Sequence, residues 1–205
     1  MRFLARTLRR LITLLIIIVL AFVGYYAYHL HQDFAKVRQF EPIVVRELEA
    51  NGIPEYKDLA MAIIYTETKG REYDVMQSSE SIHGEPGMIT SSEKSIKAGI
   101  DFLAQAIKQS RAAGVDIWTA VQAYNFGLAY IDFIAQNGGV NTVELAELYS
   151  RTVVAPTLGN TTEQTYVYRH PIAFLHTRRT LYVNGGNFFY APIVQLNQRL
   201  MRILG

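Results

Sequence analysis

At 205 residues, half of them apolar and 19% charged, the chain is sized for one globular domain and is too apolar to be disordered. It has no cysteine, which excludes disulfides, thiolate metal sites and cysteine nucleophiles. Of its 20 basic residues, Arg2, Arg6, Arg9 and Arg10 fall in the first ten positions. That leaves 16 against 18 acidic residues elsewhere, so the formal +2 marks a flank and gives no sign of nucleic-acid binding. The five histidines show no HExxH or other metal-ligand spacing, and no metal or cofactor is implied.

In chain order, the basic flank is followed by an apolar run over 11–28 without a charged residue. At about 1.5 Å per residue it approaches the roughly 30 Å of a bilayer core. Tyr25, Tyr26 and Tyr28 stand where an aromatic belt meets the interface, and the arginines place the N-terminus in the cytosol. Those tyrosines occupy the place where a cleaved signal peptide needs small residues, so the run is expected to remain as an anchor. This divides the chain into a cytosolic flank and anchor over 1–28, a linker over 29–40 and a domain over 41–205, facing the outside of the cell membrane.

Within the domain, Pro42, Ile43, Val44 and Leu48 predict a first helix up to Asn51-Gly52. Leu59, Ala60, Ile63 and Ile64 recur at helical spacing and end on Glu67, with Gly70 as the stop. A carboxylate on a helix terminus at the edge of a core can be partly desolvated, which raises its pKa and suits a general acid. A long polar loop follows over 69–90, and such loops in compact domains are often functional. Helices are then predicted over 95–111, 117–125, 131–136 and 143–149, with Trp118 assigned to the core. Residues 150–170 break the helical pattern into an irregular or hairpin-like excursion. Asn184-Gly185-Gly186-Asn187 makes a tight turn before a last amphipathic helix over 188–204. The fold class expected is mainly α with one loop-rich flank.

Six strings, in order, carry a resemblance: IIYTETKG (63–70), DVMQSSES (74–81), VQAYNFG (121–127), YIDFIA (130–135), HPIA (170–173) and GNFFY (186–190). Together they resemble the lysozyme-like superfamily, which includes goose-type lysozymes and soluble lytic transglycosylases. They are most similar to the muramidase-type domain of Gram-positive bifunctional cell-wall hydrolases. The chain departs at Leu128-Ala129, where relatives tend to have another glycine.

The resemblance implies a lysozyme-like helical domain that cleaves the β-1,4 bond between N-acetylmuramic acid and N-acetylglucosamine in peptidoglycan. Glu67 matches the catalytic acid, Gln77 the cleft glutamine, and Tyr124 and Asn125 the pair facing the glutamate. A tyrosine hydroxyl can orient the acid, and an asparagine amide can hold an N-acetyl group. A two-carboxylate mechanism needs a partner at about 5–9.5 Å, for which Asp74 and Glu80 are candidates. In the transglycosylase branch one glutamate suffices, and the muramoyl C6 hydroxyl attacks to leave a 1,6-anhydro end. A non-catalytic peptidoglycan-binding module is the remaining alternative. His170 is assigned a structural place.

Overall fold

The computed structural model describes residues 2–78, 91–176 and 179–204. Glu80 and His83 lie outside the described residues.

Helix α1, Arg2–Arg38, is unbroken through both the apolar run and the stretch expected as a linker. It is long and apolar enough to cross a membrane. Leu30, Asp33, Phe34 and Val37, spaced i, i+3, i+4, i+7, are buried against the domain, whereas Leu14, Ile17 and Val19 stand exposed. The expected linker is therefore helix because its apolar face has a tertiary partner.

Helix α2, Glu41–Ala50, begins with Pro42 in its first turn, where a missing N–H costs nothing. After a 3₁₀ turn over Pro54–Tyr56 comes α3, Lys57–Thr68. Every residue from 59 to 65 in α3 is buried, so it presents no solvated face over that length. It is the central helix, enclosed by α1, α2 and the last helix. Lys69 ends it in the left-handed conformation, and Gly70 follows at φ 69°. A Cβ at Gly70 would lie 3.2 Å from the Lys36 carbonyl oxygen and from the Phe40 ring, so the glycine lets the chain pass close under α1.

Helix α4, Ser92–Ala112, packs against α5, Ile117–Phe126. Asp116 caps α5 by accepting from the Thr119 amide and hydroxyl. Trp118 is half-buried against the core. Helices α6, Ala129–Gln136, and α7, Val143–Tyr149, follow, the second capped by Thr142.

Ser150–Val154 continues as a π-helical turn into α8, Ala155–Thr157, where the sequence pattern predicts a break. The buried Ser150 hydroxyl donates to the Gly185 carbonyl at 2.6 Å, a bond made 35 residues away that holds this turn in place. The hairpin-like part is shorter: β1, Thr165–Val167, pairs antiparallel with β2, Thr180–Tyr182, with Tyr166 opposite Leu181. Helix α9, Pro171–Phe174, lies between them. Phe188 and Phe189 are fully buried ahead of α10, Tyr190–Leu204, which packs along α3.

Candidate active site

Glu67 sits in the last turn of α3, half-buried, on the wall of a cleft of about 450 Å³. The cleft runs between the end of α3, α10 from Tyr190 to Leu200, the 168–171 segment and the part of α1 at Tyr26 and Leu30. Tyr190, the first residue of α10, donates its hydroxyl to Glu67 Oε1 at 2.5 Å. Burial, and then the Glu67 charge, push the Tyr190 phenol well above its ordinary pKa, so it stays a donor at any physiological pH.

Tyr124 stacks on Tyr190 with centroids 6.3 Å apart, but its hydroxyl goes elsewhere, donating to the Met76 carbonyl at 2.9 Å. Burial, then Glu67 and Asp74, raise its pKa as well. Helix α4 admits this arrangement through Gly99. A Cβ there would lie 2.7 Å from the Tyr124 hydroxyl and from Met76. Tyr124 thus supports the ring that holds the glutamate and fastens the Met76 backbone.

The residues expected in the site separate. Asn125 lines the cleft, and its Oδ1 accepts from the Asn187 amide at 2.7 Å. Gln77 is exposed at φ 48°, and its amide donates to Glu72 at 2.9 Å; it does not line this cleft. Asp74 is 8% exposed and accepts from the Ser78 amide, the Ser78 hydroxyl and the Ser95 hydroxyl at 2.9, 3.2 and 2.6 Å. It ties the Met76 loop to α4 and does not face the cleft. Among the described residues that line the cleft, Glu67 is the one carboxylate.

Several residues at or beside the cleft are given no site role by the sequence, although Asn187, Gln122 and His170 fall within the strings that carry the resemblance. Asn187 bridges three segments: its amide reaches Asn125, its carbonyl accepts from Gln122, and its side chain donates to Tyr168. Gln122 also accepts from the Ala191 amide, pinning the start of α10 to α5. Asn197 donates to the Thr66 hydroxyl at 2.9 Å, holding α10 beside the glutamate's turn. His170 lines the rim while its Nδ1 accepts from the Ile172 amide as the cap of α9. Burial, then Lys69, lower its pKa and keep it neutral.

A mainly helical domain whose buried central helix ends on a cleft-facing glutamate has lysozyme-like architecture. The chain belongs to the lysozyme-like family, whose model matches residues 34–198. It is 50% identical over 194 residues, 95% of each chain, to pneumococcal vaccine antigen A of Streptococcus pneumoniae. It is 39% identical over 116 residues to the bifunctional muramidase/DL-endopeptidase CwlT of Bacillus subtilis, covering 57% of this chain and 34% of CwlT. Among solved structures it is similar to a Staphylococcus aureus protein described as similar to a lipoprotein of the NLP/P60 family. That match has a TM-score of 0.71 and 31% identity, and spans 80% of this chain and 52% of the other.

Proposed function

We propose that the protein is a membrane-anchored muramidase that cuts peptidoglycan glycan strands at the N-acetylmuramic acid to N-acetylglucosamine bond. The observation that carries this reading is Glu67, held by the Tyr190 hydroxyl on the wall of a cleft of about 450 Å³. Cleaving a glycosidic bond requires protonating a poor leaving-group oxygen, the task of a positioned carboxylic acid. In this scheme Glu67 gives that proton. Tyr190 fixes the carboxyl's rotation, and Asn125 and Asn187 meet the polar groups of the sugars. The likeness to a muramidase of Bacillus subtilis supports the bond assignment. The apolar helix α1 supports anchoring, and the arginines before it support a domain on the outer face.

One observation favours a second reading, lytic transglycosylation. Glu67 is the single carboxylate among the described cleft residues, and internal attack by the C6 hydroxyl needs no second one. Mass spectrometry of fragments released from purified sacculi by the full-length protein separates the two, with Glu67→Gln as control. Reducing muramic ends establish the muramidase, and 1,6-anhydro ends the transglycosylase. Sacculus binding without release by either protein means a binding module.

A further inference from the structure

The anchor helix enters the cleft. Tyr26, inside the uncharged run 11–28, and Leu30, one turn on, line the same cavity as Glu67. Ile193, Leu196 and Leu200 of α10, which contacts α1, line the same cavity. The cleft is therefore polar at Asn125 and Asn187 and apolar where it meets α1.

This wall is fastened to the catalytic end of α3. The Asp33 carboxylate receives the Arg71 guanidinium on both oxygens, at 2.7 and 2.8 Å, and Lys36 at 3.0 Å. The Phe34 ring meets Tyr65 edge-on at 4.8 Å, two residues before Glu67. Gly70 lies against the Lys36 carbonyl, and His31 Nδ1 donates to the Leu204 carbonyl at 3.0 Å, joining α1 to the end of α10. With no break in the helix, the rise from Tyr26 to Phe34 is about 12 Å, so the cleft begins where the apolar run ends.

Tyr26 is 56% exposed, so core packing does not account for its place on the cavity wall. A tyrosine offers an apolar ring face and a polar tip, which suits both a sugar ring and the membrane interface. We propose that α1 forms one wall of the glycan site, with Tyr26 in contact with the sugar. The cleft then takes the part of a strand lying against the bilayer, as in strands still carried on a lipid in the same membrane. The inference rests on the glycan-cleaving reading above and adds where on the strand the site acts.

The absence of cysteine allows a test that does not depend on turnover. Full-length Glu67→Gln protein in lipid nanodiscs is given one further change, Tyr26→Cys, Lys69→Cys or Tyr28→Cys. Each is labelled with maleimide with and without uncrosslinked lipid-linked glycan strands in the same disc. Lys69 lines the cleft, whereas Tyr28 is exposed and does not. At ligand about ten times its Kd, labelling should slow about tenfold at positions 26 and 69 and stay unchanged at 28. Protection at 69 without protection at 26 overturns the anchor wall and leaves the glycan-cleaving reading standing. Protection at neither position overturns both. In the active chain, Tyr26→Ala should raise KM for lipid-linked strands about tenfold with kcat nearly unchanged. An unchanged KM counts against Tyr26 as a sugar contact.

Discussion

Two carboxylates seven residues apart, Glu67 and Asp74, occupy opposite kinds of environment. Glu67 stands half-exposed on a cleft wall with a phenol donating to one oxygen. Asp74 is buried, and three donors from Ser78 and Ser95 converge on one of its oxygens. A buried, multiply bonded carboxylate holds a loop in place, because its removal leaves the donors around it unsatisfied. A carboxylate on a solvent-reaching wall can instead meet a substrate oxygen. In the proposed scheme the same residue chemistry therefore divides into structure and reaction according to what surrounds it.

Exchanging the two groups one at a time should bring out that division. Glu67→Gln should lower glycan release about 10³-fold, the range of a lost general acid, with thermal unfolding nearly unchanged. Asp74→Ala should do the reverse. It should cost about 3 kcal/mol in denaturant unfolding by stranding the Ser78 and Ser95 donors, while protein that remains folded keeps its activity. A fall in activity as steep as that of Glu67→Gln at unchanged stability would make Asp74 the second catalytic group.

The stacked tyrosines repeat the contrast on a smaller scale. Tyr190→Phe removes a hydrogen bond to an ionisable group worth about 1.5 kcal/mol, so kcat should drop roughly tenfold. Tyr124→Phe frees only the Met76 carbonyl, and should lower stability by about 1 kcal/mol with kcat little changed. Equal kinetic effects would mean that the pair acts on Glu67 as a unit.

The smallest effect concerns pH at the rim. His170 caps α9 as neutral imidazole, and burial, then Lys69, depress its pKa in the folded protein. The unfolded chain therefore binds the proton first. The contribution is present above the unfolded value near 6.5 and is lost as pH falls through the folded pKa. Wild type should thus lose a small part of its stability on acidification that His170→Asn, which keeps a capping acceptor, does not lose. Parallel unfolding curves of the two proteins from neutral to acidic pH would remove His170 from the account.

Legibility followed the distance over which each feature is decided. The helical domain was visible because α3 is set by nearby residues, the apolar run at Leu59, Ala60, Ile63 and Ile64 and the Gly70 stop, whereas the Asp116 and Thr142 caps of α5 and α7 emerged only in the structure. Glu67 itself was readable from its place at the end of that run. Its partner was not, because Tyr190 lies 123 residues away and a phenol in a GNFFY string has no period or spacing of its own. Tyr124 was expected beside the glutamate, and its ring is close, but the direction of its hydroxyl is decided by the Met76 carbonyl and by the space Gly99 leaves.

The largest departure is α1. Leu30, Phe34 and Val37 share a helical face, yet a stretch with Asp33, Lys36 and Arg38 beside an uncharged apolar run also fits a linker. What made it helix is a partner surface on α3 and α10 that no local pattern reveals. By itself the sequence determined the apolar span, the helical class and the position of the glutamate, since periodicity, glycine stops and uncharged length act over a few residues. Only the tertiary structure decided which tyrosine holds Glu67, which carboxylate is buried, and that α1 lines the cleft. Those outcomes depend on contacts between segments tens to more than a hundred residues apart, whose energies exist only once the core has closed.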